Sequence, residues 1–152
     1  EENSDKITFL FCLKYKKELL ESELEINNRT LKKYTDQKDI IFVDKSINTT
    51  DVIRASHGVV SMPFTTPTIE AIALKIPAIY FDPIGLFPNN YFSEIDGLYI
   101  NRYELFKNFL EKVIIKDSEL KESIKKASYF MGISDKLDGV GLIKSEIKKL
   151  IS

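Results

Sequence analysis

Apolar residues in this chain come in short unbroken runs separated by amphipathic or polar stretches, a spacing that suits a parallel sheet. Residues 7–13 are apolar apart from Thr8 and stop at Lys14. A run of that kind reads as a strand buried on both faces. Residues 40–43, 59–62 and 78–81 repeat the pattern. Between the first two runs, Leu19, Leu20, Leu24, Ile26 and Leu31 recur among charges over residues 16–34, which predicts an amphipathic helix broken near Asn27 and Asn28. Residues 48–55 predict a short helix capped by Thr49 or Thr50 with Asp51 in its first turn. Residues 67–75 predict another, with Thr66 as cap and Pro67 as its first residue. Strands alternating with helices imply parallel strands joined by crossovers.

The second half changes character. A loop containing Pro83, Gly85 and Pro88 leads to a short strand at 98–100, and Asn101 with Glu104 has capping-box spacing for a helix running to about residue 114. Asp117 or Ser118 would start the next helix, ending near Met131 and Gly132, and residues 140–151 would form a last one. The expected architecture is α/β: a Rossmann-like open parallel sheet of about five strands with helices on both faces and extra C-terminal helices. In such a sheet ligands gather at the carboxyl ends of the strands. Three segments fall there, residues 14–17, 63–70 and 82–90.

Composition narrows the class of partner. At 152 residues and 43% hydrophobic side chains, the chain can bury one core, so residues 1–152 are expected to form a single domain. Charged residues make up 30% but cancel to a net charge of −1, which argues against nucleic acid. Cys12 is the only cysteine and can form no internal disulfide, which fits a reducing compartment or a core position. No apolar stretch approaches the roughly 20 residues that cross a bilayer, and the first residues resemble no signal peptide, so a cytoplasmic location is expected. The chain lacks an initiator methionine and enters its first strand by Ile7, from which we expect a piece of a longer protein.

The candidate chemistry concentrates in residues 59–83. Thr65, Thr66 and Thr68 crowd the turn between a buried strand and a helix start, where free N–H groups and the positive end of the helix dipole suit an anion such as a diphosphate. Thr66 can equally serve only as a cap. Glu70, past the capping-box position, could accept two ribose hydroxyls or merely compensate the dipole. Lys14, at the end of the first strand, could neutralise phosphate. Asp82, at the end of the fourth, could contact a ligand or simply open a turn before Pro83. His57 falls at the amino end of a strand and reads as structural, while Asp135 and Asp138 read as solvated loop. If segments 14–17, 63–70 and 82–90 form one exposed concave edge, Phe64, Phe87 and Tyr91 should be unusually accessible along it.

Taken in order, Asp51-Val52-Ile53-Arg54-Ala55-Ser56, Val59-Val60-Ser61-Met62-Pro63-Phe64, Thr65-Thr66-Pro67-Thr68-Ile69-Glu70-Ala71 and Lys75-Ile76-Pro77-Ala78-Ile79-Tyr80-Phe81-Asp82 resemble the C-terminal half of GT-B-type glycosyltransferases, and more closely the GT-B-like proteins of bacterial surface polysaccharide biosynthesis. The resemblance covers about residues 7–115. It implies a nucleotide-sugar donor bound by Lys14, Pro63, Phe64, Thr65, Thr66, Thr68, Glu70 and Asp82, with neither metal nor cofactor in this domain. It also implies an acceptor-binding N-terminal domain outside this chain, and through the rest of the protein a peripheral association with the inner membrane. No catalytic residue is assigned, and the piece alone is expected to be inactive. The glycine-rich form of the turn is replaced here by Pro63-Phe64-Thr65-Thr66-Pro67. Alternatives are a nucleotide-sugar 2-epimerase-like domain and a non-catalytic nucleotide- or sugar-binding module.

Overall fold

The computed structural model describes residues 7–12, 38–44, 46–88, 90–133 and 147–149, and elements are numbered within those. Strand β1 is Phe9–Phe11 and β2 is Ile40–Phe42; they pair in parallel, with Phe9 opposite Ile40 and Phe11 opposite Phe42. Helix α1 is Thr49–Arg54, β3 is Val59–Ser61, α2 is Thr66–Ala73 and β4 is Ala78–Phe81. A 3-10 turn, Tyr91–Glu94, precedes β5, Tyr99–Ile100, then α3, Tyr103–Ile115, and α4, Ser118–Phe130.

Every strand pair is parallel, as alternation requires. The strands form two small sheets rather than one of five: β1 with β2, and β3, β4, β5 in that order. The expected five-stranded Rossmann-like sheet is therefore not what the described residues show. Nor do the described residues cover the outer strands on both faces, since Leu10 is 39% and Ile41 49% exposed, and Val60 is exposed on β3. An unbroken apolar run does not distinguish a central strand from one whose far face lacks a covering helix.

The core sits on the two faces of β4, the middle strand of its sheet. On one face Tyr80 joins Ile72 of α2, Ile95, Leu98 and Ala127 of α4. On the other, Ile79 joins Ile100 of β5, Phe109 of α3 and Leu120 of α4. Burying each such aliphatic or aromatic side chain is worth about 1.5–3 kcal/mol, so these two clusters anchor β4 and with it the loops at its ends.

Helix caps depart from expectation in an instructive way. The N-cap of α1 is Asn48, whose side chain accepts from the Thr50 amide at 3.0 Å, displacing Thr49 and Thr50 from that role. Asp117 caps α4 through the Glu119 amide, as expected. The N-cap of α3 is Arg102 rather than Asn101, with no side-chain bond. Three helices close alike. Ile76 N donates to Ala71 O after α2, Asp117 N to Lys112 O after α3, and Ile133 N to Ser128 O after α4. Each passes through a left-handed residue, Lys75, Lys116 or Gly132, in the Schellman arrangement.

The segment 16–34, Lys14, Asp135, Asp138 and most of 140–151 lie outside the described residues; residues 147–149 are helical. Cys12 is exposed rather than in the core. Among the described residues no helix is long and apolar enough to cross a membrane.

Candidate functional site

The carboxyl ends of β3 and β4 feed the turn at residues 62–65 and the loop at residues 82–90. Aromatic rings bring these two segments together. Phe64 meets Phe87 edge-on with centroids 5.1 Å apart and Phe92 at 5.7 Å, while Phe92 lies 4.5 Å from Tyr80. Tyr91 rests 4.5 Å from Phe130 of α4. Phe64 and Tyr91 are exposed as expected and Phe87 is half-buried, while segment 14–17 of the expected edge lies outside the described residues. Phe64 is 57% exposed and holds a φ of +61°, a left-handed conformation that is costly for a bulky residue and turns its ring outward at the tip of the turn.

The three threonines separate by role. Thr68 is 0% exposed. Its hydroxyl lies 3.1 Å from the Ile79 carbonyl, to which it donates, and 2.7 Å from Ser61 Oγ. Thr65 turns its hydroxyl inward to Ser61 Oγ at 2.9 Å and the Met62 carbonyl at 2.6 Å. Because each hydroxyl carries one proton and that of Thr68 goes to the Ile79 carbonyl, Ser61 donates to Thr68, and the single Thr65 proton is shared between the Met62 carbonyl and Ser61 Oγ. This chain of hydroxyls stitches the turn to β3 and β4, and Tyr80 adds its hydroxyl to the Thr65 carbonyl at 3.1 Å. Pro63 is buried beneath the turn.

Thr65 and Thr66 are both exposed, but of the three threonines only Thr66 has a side chain with no hydrogen bond among the described residues. The N-cap of α2 is Thr65, one residue earlier than expected, and its side chain makes no capping bond, so Pro67 is the second helical residue. The exposed Thr66 thus opens the helix with no side chain across its amide, while Thr68 is buried behind it. Ser61 escapes a reading that looks only for threonines, yet its spacing of four residues to Thr65 and seven to Thr68 is a detectable signal.

Asp82 is 0% exposed, at the end of β4. Its Oδ2 accepts from the Phe87 amide at 2.8 Å and the Tyr99 hydroxyl at 2.7 Å, while Oδ1 has no hydrogen-bond partner. Burial works to raise this carboxyl, but the Tyr99 hydroxyl and the amides of Phe87, Leu86 and Gly85 hold it below the ordinary carboxylate range. Burial, reinforced by the Asp82 carboxylate, pushes the Tyr99 hydroxyl up to about 12, and burial alone lifts Tyr80 to about 12. Asp82 thus folds the 82–90 loop back on itself, with Asn90 fastening the far side through the Phe87 carbonyl at 2.6 Å and the Phe92 amide at 2.9 Å.

Glu70 sits in the second turn of α2, half-buried, and accepts a hydrogen bond from the Thr50 hydroxyl of α1. It therefore has a local partner that spacing alone did not reveal. His57 is exposed just past α1. Among the described residues no group of three histidine, cysteine or acidic side chains is placed to hold a metal. A cavity of about 440 Å³ opens elsewhere, over the amino ends of β4 and β5, where Pro77, Leu98, Phe109 and Leu120 line it near the 2.6 Å Lys112–Glu119 ion pair. It touches none of the residues expected to bind a donor.

Comparison with protein families matches residues 2–110 to the polysaccharide biosynthesis PFTS motif proteins. The chain belongs to this family. The family's name spells Pro-Phe-Thr-Ser, and this PFTS motif protein carries Pro63-Phe64-Thr65-Thr66 at the turn just described, differing only in the last hydroxyl residue. Comparison with curated proteins and with solved structures gave no match.

Proposed function

We propose that this PFTS motif protein is the donor-binding part of a GT-B-type glycosyltransferase in surface polysaccharide or lipopolysaccharide synthesis, and that the turn and the start of α2 receive the diphosphate of a nucleotide sugar. The observation that carries the reading is the open helix start at the carboxyl end of β3: α2 has no side-chain cap, and beside it stand the exposed Thr66 hydroxyl and the outward Phe64 ring. The Thr66 amide and hydroxyl, together with the helix dipole, can neutralise a departing diphosphate without a metal. Lys14 would add a cation. Thr65, Thr68, Pro63 and Asp82 serve from beneath, holding the turn and loop in place, while Phe64 offers a ring face to the base or sugar. Glu70 accepts the ribose hydroxyls. The acceptor domain and the catalytic base belong to another part of the protein, which acts in the cytoplasm at the inner membrane, and this chain alone turns nothing over.

Calorimetry with UDP, GDP and CMP in the presence of chelator tests the reading. The expected outcome is weak binding of at least one nucleotide, indifferent to EDTA, that Thr66→Val weakens by about threefold to tenfold. Strict dependence on magnesium, or no binding of any nucleotide at millimolar concentration, would overturn it.

A further inference from the structure

The hydrogen bond between α1 and α2 adds a residue that the donor-site reading did not include. Thr50 is the second residue of α1, and its backbone amide is fixed by the Asn48 side chain at 3.0 Å. Its half-buried hydroxyl donates to Glu70 Oε1. A carboxylate offers about four acceptor positions, and one neutral donor occupies only one of them. No cation pairs with Glu70 among the described residues. An acid held by one hydroxyl rather than by a guanidinium fork keeps its remaining lone pairs for other hydroxyls. Held at one oxygen, the three-torsion glutamate side chain also surrenders rotamer freedom before any ligand arrives.

We infer that Thr50 is a positioning residue that aims Glu70 at vicinal hydroxyls, so that the α1–α2 contact sets the preference of the site for a ribose over a deoxyribose. The inference rests on the donor-site reading above, and it assigns specificity to a residue that touches no ligand. Its signature is selective: losing the Thr50 hydroxyl weakens binding of the ribonucleotide and leaves its deoxy counterpart unchanged, because only the former uses the aimed carboxylate.

The test titrates the whole chain with UDP and with 2′-deoxy- and 3′-deoxy-UDP, or with the corresponding set for whichever nucleotide binds best. Wild type should prefer the ribonucleotide. Thr50→Val should lose about tenfold for it, with deoxy affinities unchanged, and Thr50→Ser should restore the preference. Thr50→Ala replaces the valine variant if the branched side chain lowers the melting temperature. Adding Thr50→Val to Glu70→Ala should cost nothing further. If Glu70→Ala abolishes the preference while Thr50→Val keeps it, the positioning role falls and the donor site stands. If wild type binds a nucleotide but shows no hydroxyl preference, both this role and ribose recognition by Glu70 fall, with the diphosphate site untouched.

Discussion

Residue by residue, the turn shows how one side-chain type is sorted by its surroundings. The sequence places Thr65, Thr66 and Thr68 together but says nothing of which way each hydroxyl turns, because that depends on acceptors contributed by β3 and β4. The half-buried Ser61 hydroxyl and the Ile79 carbonyl engage two of them, leaving the Thr66 hydroxyl unbonded. Glu70 was recognisable as an acid without a capping duty, yet its partner Thr50 lies twenty residues away on another helix, beyond any local pattern. Phe64 was legible as an accessible aromatic and illegible as a strained one, since a positive φ is expected of glycine or asparagine, not phenylalanine. That strain makes a prediction. Phe64→Gly and Phe64→Ala both delete the ring contacts with Phe87 and Phe92, but only glycine relieves the backbone. The glycine variant should be the more stable of the two by about 1 kcal/mol in urea denaturation, reversing the usual order of these residues, while both weaken nucleotide binding. An alanine variant as stable as the glycine one would mean that the turn relaxes out of the left-handed region.

Among the elements, those rich in local signals were read well and those dependent on long-range packing were not. Strand β4 and helix α4 carry their own punctuation: four apolar residues before Asp82 in one, Asp117 as cap and Gly132 as stop in the other. The capping-box spacing of Asn101 and Glu104 misleads because β5 runs to Ile100 and the chain is still extended at Arg102, where α3 can first begin. The lysines that end α2 and α3 hide their stop signal altogether. Lys116, at a φ of +54°, fills the position that glycine favours. Lys116→Gly should therefore stabilise the chain by about 0.5 kcal/mol, the relief of the left-handed backbone exceeding the added freedom of the unfolded chain and the lost favourable charge at the helix end. The same change at Lys121, exposed inside α4, should cost about 1 kcal/mol. Thermal or urea unfolding of both variants separates the two effects, and equal losses would contradict the Schellman geometry.

For the whole molecule, alternation of runs and helices was enough to specify parallel strands but not how many share a sheet. That number depends on which neighbours a strand finds, and the apolar runs at 7–13 and 40–43 look the same whether they pair with β3 or only with each other. What joins the well-packed half is concrete: Tyr99 of β5 donates across to Asp82 at the end of β4, and Asp82 in turn gathers the 82–90 loop. This pair ties strand, strand and loop together, so it should leave its mark on global stability against pH. Asp82 is held below the ordinary carboxylate range, so its contribution is fully present above about pH 4 and is lost as pH falls through the lower folded value. Tyr99 and Tyr80 are raised to about 12, so theirs is fully present below about pH 10, the ordinary tyrosine value, and is lost as pH climbs towards 12. Tyr99→Phe removes one donor from Asp82 and one late-ionising hydroxyl. Urea midpoints measured from pH 3 to pH 11 should be lower for the variant at neutral pH, begin their acid decline at a higher pH than wild type, and fall less steeply at the alkaline end, where Tyr80 alone remains. The difference between the two curves cancels the carboxylates that both proteins share. A variant curve parallel to wild type at both ends would show that the Tyr99–Asp82 contact contributes nothing to folding, and that the loop carrying Phe87 is held by Asn90 and its aromatic neighbours alone.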